Sequence, residues 1–444
     1  MTPDSFDRDI LNAPETKENR IIRAQLRLSN HWIVTGKTFF TQDRDYSDEH
    51  PHIPETCKRE DLGREQDESI VTIHVAARPE RHPRCPVCGS CDCRVICYES
   101  RTLRHIDDLG SKCFVRVRLP KYKCGSCGGT PQKRFPLAHD RLSYTRPFAR
   151  EVMTVLKSSS RSATAAKLHT TVDIVNGVLE RTIRDAVINQ DLSHVTGVYL
   201  DETQFGSGQD YVSVFADQDH NVIFACHGHK ADVLEIFRDH LVVQGGDPES
   251  VRFFSTDMSA AYESGIQALF PNATLVWDRF HLAKSVNDAL NDVRKRTLKR
   301  KDGEPLRSAK YVVLRRRTNM ERRHLDRLRR IELHCPELAL AFDMKEAFLE
   351  IIKVPDLASM RRSILAWADW VERYGPRELV QKARRFREKI DRIVAWTAYP
   401  VSNSVSEGIN KNIQDIRRQA CGYTNLDHFF DMILFRQGNL TLRF

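Results

Sequence analysis

Three acidic residues stand in settings suited to metal chemistry: Asp201 in VYLDETQFGSG, Asp257 in FFSTDMSAAY and Glu407 in SNSVSEGIN. The first two close short runs rich in Val, Phe and Tyr that read as buried strands. The third opens a stretch with helical periodicity. Carboxylates brought together from distant parts of a chain are what a two-metal phosphoryl-transfer site requires. Two Mg²⁺ ions about 3.5–4 Å apart clamp the attacking and leaving oxygens of an in-line displacement. Such hard cations take oxygen ligands, and Mn²⁺ could stand in for Mg²⁺. Each residue also has a structural reading. Asp201 could be a turn residue, with Glu202 beside it as the ligand. Asp257 could cap the helix that follows. Glu407 could form a capping box with Ser404.

A second chemistry lies in the cysteines. The chain has twelve, and eight fall between Cys85 and Cys127. Cys85-x2-Cys88 and Cys124-x2-Cys127 are paired C-x2-C turns, each able to place two thiolates on one side of a tetrahedral Zn²⁺. In a chain without secretory features such clustering points to metal rather than disulfides. A four-cysteine site is closed and structural. Cys91, Cys93, Cys97 and Cys113 read as small buried residues, although Cys91 or Cys93 could replace a member of the first pair.

The elements that must position these groups follow from the patterning. Residues 1–70 lack sustained periodicity, offer a short helix at IIRAQLRL, and have no assigned role. Over 71–136 the alternation in SIVTIHVA and KCFVRVRLPKYKC gives strands, so the cysteine segment reads as a zinc ribbon with an inserted hairpin. Residues 137–192 contain a short helix (SATAAKLH), a turn (TTVD) and a longer helix with Ile174, Val175, Val178, Leu179 and Ile183 on one face. This is the helix-turn-helix pattern, whose second helix enters the DNA major groove. Thr171, Asn176, Arg181 and Arg184 are its candidates for facing DNA. Residues 193–285 then run strand, strand, strand, helix, strand, helix, strand, with Asp201 on the first strand and Asp257 on the fourth. That is the order of the ribonuclease H-like fold, in which those two strands are neighbours. Residues 286–399 are helical, and 400–444 return with Glu407. The 150 residues between Asp257 and Glu407 are too many for a loop and fit a helical insertion. The fold class expected is multidomain α+β, with an interrupted α/β core.

Net charge is +9, unevenly spread. Residues 294–330 hold sixteen Lys/Arg against four Asp/Glu, whereas residues 1–70 hold ten against fifteen. A concentrated basic block suggests a polyanionic partner. No stretch of about 18 apolar residues occurs, which excludes a helical membrane span, and the acidic, polar start is unlike a secretory signal. The expectation is a soluble, intracellular protein.

With these features in place, the sequence resembles the transposases of ISL-three-type bacterial insertion sequences. The resemblance is carried by CPVCG and CGSC, RTLRHIDDLG between them, LDET, STDMSAAYESGIQALFPNATLVWDRFHLAK, and SNSVSEGINKNIQDIRRQACGYTNLDHFF. It covers about residues 72–436. It implies a DDE-type enzyme with Asp201, Asp257 and Glu407 holding two Mg²⁺ ions. The zinc ribbon and helix-turn-helix would recognise the terminal inverted repeats of the element. Asp278 and His281, in WDRFH, would support the site or make a structural contact. Lys411, at i+4 from Glu407, and Arg417 and Arg418 beyond it are candidates for phosphate contact. Target DNA is a second partner. Pairing of two element ends implies a homodimer or larger assembly acting in the prokaryotic cytoplasm, at the nucleoid. Trp367 and Trp370 are expected in the core of the insertion. Competing readings are a catalytically inactive or domesticated zinc-ribbon/helix-turn-helix regulator, and another metal-dependent nuclease such as a resolvase.

Overall fold

Alternating apolar residues before and after the cysteine turns build a four-stranded sheet. In the computed structural model its strands are β1 (Trp32–Phe40), β2 (Ile70–Ala77), β3 (Cys93–Arg104) and β4 (Lys112–Cys124). The order is β1-β2-β4-β3, with β2 and β4 parallel and the other pairs antiparallel. The structure describes residues 14–40, 69–108, 110–205, 211–228, 232–300, 309–400, 403–420, 422–423 and 425–444. The chain divides into two compact units, one of residues 1–185 with 419–422 and 442–444, the other of 186–418 with 423–441.

In the first unit, residues before 70 are part of the sheet. Helix α1 (Lys17–Gln25) leads into β1, and the buried Glu15 carboxylate accepts the Val34 N–H at 3.0 Å and pairs with Arg23 at 2.9 Å. Trp32 meets the edge of Phe135 at 5.0 Å. The sequence offered only a short helix here. β1 went unrecognised because WIVTGKTFF has a glycine and no strict alternation. Three helices follow: α2 (Arg146–Leu156), α3 (Arg161–Lys167) and α4 (Val172–Ile188). Thr145 and Ser160 cap α2 and α3 through their hydroxyls. Helix α4 buries Val175, Val178, Leu179 and Ile183, the expected face, with Ile174 half-buried at its margin.

Arg104, in the RTLRHIDDLG segment, joins these parts. Only 5% of it is exposed. Its guanidinium donates to the carbonyls of His105 (2.5 Å), Cys113 (3.1 Å) and Leu168 (3.0 Å) and pairs with Asp107 at 2.5 Å. It also faces the rings of Phe148 and Phe114. One side chain thus ties the β3–β4 hairpin to α2 and to the end of α3.

The second unit is built on a five-stranded sheet: β5 (Gly197–Gln204), β6 (Tyr211–Asp217), β7 (Val222–His227), β8 (Phe253–Thr256) and β9 (Thr274–Trp277). The order is β7-β6-β5-β8-β9. β6 is antiparallel to both neighbours, while β5, β8 and β9 run parallel. Helices α5 (Asp232–Val243) and α6 (Ala260–Leu269) cover one face. There Phe237 stacks on Phe215 at 4.2 Å, and Phe270 packs on Phe254 at 4.8 Å. Gly197 has no Cβ for a reason: one would lie 2.1 Å from the ring of Phe253 on the neighbouring strand.

From β9 the chain enters a helical layer: α7 (Arg279–Arg300), α8 (Ala309–Val313), α9 (Arg322–His334), α10 (Pro336–Ile351), α11 (Leu357–Tyr374), α12 (Arg377–Glu388) and α13 (Ile390–Val394). Its core joins Phe348, Trp367 and Phe386, and the Trp367 indole donates to Met344 O at 2.8 Å. Trp370 packs partly buried at its margin. Much of the basic block is neutralised here. Arg296 bridges Glu337 and Glu378, Arg316 pairs with Glu346 and Glu350, and Arg317 with Asp343. The chain then returns to the sheet as α14 (Asn403–Gln419) and α15 (Leu426–Gln437). Among the described residues no helix is long and apolar enough to cross a membrane.

Arg104→Ala would remove a charged donor from three carbonyls and from Asp107, leaving the His105 N–H on Cys113 O and His169 on Asp107. It should destabilise the first unit by about 3–5 kcal/mol, the range for removing one partner from a buried charged network. Denaturant unfolding followed within residues 1–185 would read this loss, and a change under about 1 kcal/mol would contradict the role.

Candidate metal centres

Four thiols converge at the end of the β3–β4 hairpin. The Sγ atoms of Cys85, Cys88, Cys124 and Cys127 all lie within 4.8 Å of one another. The Cys85–Cys127 separation is 3.8 Å and the Cys88–Cys124 separation 3.6 Å. A tetrahedron with Zn–S bonds of about 2.3 Å has edges of about 3.8 Å, so the set fits Zn²⁺. Each C-x2-C turn closes in the same way. Cys85 N–H donates to Ser90 O at 2.9 Å, and Cys124 N–H to Gly129 O at 3.1 Å, each five residues on. The glycines after the second cysteines, Gly89 and Gly128, take φ of +74° and +68°, where a Cβ would be strained. Backbone N–H groups of Cys88 and Val87 point at the Cys85 sulfur and hold its thiol down at about 7, which favours the metal-binding thiolate.

The other cysteines divide. Cys113 is buried in the sheet core, as expected. Cys93 is half-buried and opposite Cys124 in the strand register. Cys91 and Cys97 are exposed, which corrects the reading of all four as buried. β3 is the edge strand, and its first residues stand clear of the core.

The carboxylates are set by strand register. β5 pairs with β8 through Gly197–Phe253, Val198–Phe254 and Tyr199–Ser255. Two residues further on, Asp201 stands level with Asp257. β8 pairs with β9 through to Thr256–Trp277, so one residue further on Asp257 stands level with Asp278. Asp201 lies on the face of β5 that also carries Tyr199 and Thr203, and the register continued past the last pairs of β8 and β9 brings the backbone of Asp257 and Asp278 level with it. Asp201 lies within β5 rather than at its end, because the strand continues to Gln204 along β6. What ends near Asp201 is the parallel pairing to β8. Glu202 faces the other way, where its carboxylate accepts the Tyr262 hydroxyl. The two neighbours therefore point to opposite faces of β5.

Helix α14 lies along the Asp201 face. Asn410 Nδ2 donates to Asp201 Oδ2 at 2.7 Å, Gln414 to Thr203 at 2.7 Å, and Arg417 to Gln204 O at 3.1 Å. Ile409, Ile413 and Ile416 are buried beside this polar stripe. Glu407 is one turn before Asn410 on this helix, and its side chain lies outside the described residues. Ser404 is already inside the helix, so it is not the N-cap that the capping-box reading requires. The second Asp201 oxygen accepts the Glu202 N–H at 2.8 Å. Burial dominates its environment and raises its pKa from 3.8 to about 6, opposed by the Glu202 N–H, the His281 charge and Asn410, and reinforced by Asp278. Among the described residues the hydrogen bonds to this carboxylate come from neutral donors, and both His281 and the acidic Asp278 act on it through space. A divalent cation would supply the missing charge, so the donor set fits a hard metal ion.

Asp257 accepts the Ser259 N–H at 2.9 Å, leading into α6. Its loop is held from the helical layer, where Arg385 binds Met258 O and faces the Trp277 ring. Asp278 is 7% exposed and accepts the Phe280 N–H at 2.8 Å at the start of α7. One oxygen of Asp257 and one of Asp278 are thus spent on a helix start; Ser259 rather than Asp257 is the N-cap of α6. Among the described residues, the four cysteines are the one group of three or more potential metal ligands whose donor atoms converge within 4.8 Å.

The residues expected to face DNA have local partners. Asn176 accepts from Arg161 at 3.1 Å, Thr171 accepts the Ile174 N–H at 3.3 Å, Arg181 lies 3.9 Å from Asp185, and Arg184 pairs with Glu180. Arg417 docks α14 on β5, Arg418 pairs with Asp415, and Lys411 is exposed. Sequence reasoning missed Arg104, Asn410 and Arg385. Only Asn410 had a readable signal, the polar i, i+4, i+7 series Asn410, Gln414, Arg417.

The family model described as a transposase, of the ISL-three DDE type, matches residues 198–433, over half of the 444 residues. The chain is also similar to the transposase for insertion sequence element IS1001 of Bordetella parapertussis. The two are 25% identical over 354 residues, which cover 78% of this chain and 87% of that protein. The family match starts on β5 and ends in α15, so it spans Asp201, Asp257, Asp278 and Glu407.

Two outcomes follow for the metals. Cys85→Ser or Cys124→Ser should lower zinc content from one ion per chain, read by elemental analysis, and unchanged zinc in both variants would refute this ligand set. Asp201 gives a test on stability. A carboxyl whose folded pKa is raised costs nothing below its ordinary 3.8, and its cost grows as pH climbs to about 6 and persists above. Asp201→Asn should therefore stabilise the metal-free protein at pH 7.5 by about 1–3 kcal/mol. Added Mg²⁺ should stabilise the parent and not the variant. Thermal unfolding in chelator and in Mg²⁺ reads both arms, and a variant less stable than its parent in chelator would count against the site.

Proposed function

The chain belongs to the ISL-three-type transposase family, and from that premise we propose that it is a DDE-type DNA transposase with an interrupted ribonuclease H-like core. The observation that carries this reading is the register that sets Asp201, Asp257 and Asp278 level, with α14 docked on β5 by the Asn410–Asp201 bond. The strand order and the antiparallel second strand support the ribonuclease H-like assignment. The helical layer between β9 and α14 supports the idea of an insertion that separates the third acid from the first two.

In this reading Asp201, Asp257 and Glu407 hold two Mg²⁺ ions, which when bound activate a water and stabilise the leaving oxygen. The water oxygen attacks phosphorus at the element end, and the bond to the 3′ oxygen breaks. This frees a 3′-OH on one side and a 5′-phosphate on the other. In strand transfer that 3′-OH attacks a target phosphodiester. The phosphate exchanges one oxygen for another, so neither step needs a covalent protein intermediate. Asn410 fixes the Asp201 carboxylate, Arg385 fixes the loop that carries Asp257, and Asp278 and His281 set the field around Asp201. The zinc-stapled hairpin and the α3–α4 pair form the end-binding module, with α4 as the helix that enters the major groove. Two copies hold two ends, and the place of action is the nucleoid in the cytoplasm.

Asp257→Ala should abolish Mg²⁺-dependent cleavage of a duplex carrying the terminal repeat, by at least about 10³-fold. It should leave end binding within about twofold. Retained cutting would remove Asp257 from the site. A parent protein that binds ends but never cuts would favour the inactive regulator instead.

A further inference from the structure

A cleft in the first unit carries more positive charge than its own acids balance. Its walls are the loop from His139 to Leu142, the start of α2 with Arg146, and the second half of α4 with Arg181 and Asp185. Arg443, near the end of the chain, completes the lining. All of these residues belong to the first unit. The walls are set by bonds that need no ligand. Arg101 donates to His139 O at 3.2 Å and to Leu142 O at 2.7 Å, and the Arg146 N–H donates to Leu137 O at 2.6 Å. The Phe444 ring is held against the Arg150 guanidinium at 5.5 Å, which seats its neighbour Arg443.

Three guanidiniums thus share the cleft with one acidic side chain, Asp185. Arg181 lies 3.9 Å from it, beyond hydrogen-bond reach. Arg146 and Arg443 have no acidic partner among the described residues. The Nε atoms of Arg146 and Arg181 are buried without a hydrogen-bond partner, which is unfavourable unless a ligand supplies an acceptor. His139 is held below its ordinary 6.5, first by burial and then by the charges of Arg146 and Arg181, against Asp185 and Asp140. Those two guanidiniums therefore bring their charge to one place. Planar guanidiniums match the oxygens of a phosphate. The space is about 330 Å³ with its open mouth included, at the bottom of the usual range for small-molecule pockets, about 300–1,000 Å³. It suits a phosphate group rather than a whole nucleotide.

Helical phase says which phosphate. Arg184 is exposed, on the side of α4 away from buried Val175, Val178, Leu179 and Ile183. Arg181 is three residues before it, so the two are neighbours on the helix surface. The cleft therefore flanks the outward face of α4. A helix in the major groove turns its outward face to the base edges and its flanks to the phosphate backbones that wall the groove.

We propose that Arg146, Arg181 and Arg443 form a pocket for one backbone phosphate of the element-end duplex, filled when α4 enters the major groove. This rests on the transposase reading above. The pocket fixes the register of α4 on the duplex without choosing bases.

The test is binding of the full chain to a terminal-repeat duplex in which single phosphates are replaced, one at a time, by neutral methylphosphonates. Parent and Arg146→Gln/Arg443→Gln are compared. On the unmodified duplex the variant should bind about tenfold more weakly, and its plot of log affinity against log salt should be shallower by about 0.9. One methylphosphonate position should weaken the parent by about tenfold and leave the variant unchanged, because the contact is already lost. Without DNA the variant should melt no lower than the parent, since the substitution relieves unbalanced charge. If it melts lower, Arg443→Gln alone, at an exposed position, should show the same coupled phosphate. Equal losses in parent and variant at every position overturn the pocket. Inorganic phosphate that raises the parent's melting temperature and not the variant's, with no coupled DNA position, assigns the cleft to a small solute and also overturns it. Parental binding and Mg²⁺-dependent cutting, measured alongside, separate the readings. A parent that binds and cuts with no coupled position sinks the pocket alone, and a parent that neither binds nor cuts the repeat sinks both.

Discussion

The second unit depends on how one half-buried carboxylate is held. Asp201 is only partly open to water, and among the described residues no lysine or arginine is bonded to it. Its oxygens receive one backbone N–H and one side-chain amide. Burial of a charge without a counter-charge is unfavourable, and the rise of its pKa to about 6 reflects that. The same amide belongs to α14, the helix that carries Glu407. The contact that tolerates the unfavourable charge is therefore also one that docks the Glu407-bearing helix on β5. An arginine in place of Asn410 would neutralise the carboxylate and compete with a metal ion. An alanine would leave it unbonded. A neutral amide keeps the oxygen in place and leaves its charge available to a cation.

The helical layer makes this arrangement possible. Between β9 and α14 the chain travels through a helical layer, seven α-helices among the described residues, and comes back. It does so as a packed body, with Phe348, Trp367 and Phe386 at its centre and Lys345 fully buried against the carbonyls of Val313 and Arg315. It also reaches back to the sheet. Arg385 holds Met258, the residue after Asp257, and Lys389 pairs with Glu263 on α6 at 2.9 Å. A flexible loop of the same length would return α14 without fixing the Asp257 loop. The insertion thus serves the site twice, through its ends and through its flank.

Much of this was legible in the sequence, for definable reasons. The five strands and two helices of the second sheet announce themselves by β-branched and aromatic runs broken by short turns, and C-x2-C spacing has few other uses. Asp257 was placed correctly just past the end of its strand, whereas Asp201, expected at a strand end, lies within β5, because the pairing to β6 carries that strand on to Gln204. Three things were not readable. β1 lacks alternation and pairs with a strand beyond residues 41–68, so its partner could not be inferred from neighbouring sequence. Arg104 looks like any charged residue of a strand, since its burial depends on helices forty and more residues away. The level placement of Asp278 beside Asp257 depends on the β8–β9 register, which no local pattern encodes.

The basic block shows how composition can mislead and inform at once. A surplus of twelve charges in residues 294–330 suggested a polyanion, yet Arg296, Arg316 and Arg317 turn inward to five acids that lie outside that window. These pairs belong to the architecture of the insertion. Subtracting them leaves the α9 arginines, whose neighbours supply few counter-charges. Helical phase then does what composition could not. Arg323, Arg327 and Arg330 share one side of the helix because 3.6 residues make a turn, with Asp326 at its border, i+3 from Arg323 and i−4 from Arg330, and Glu332 on the far side. A run of charge becomes a directional surface only once the helix that carries it and the pairs that drain it are both known.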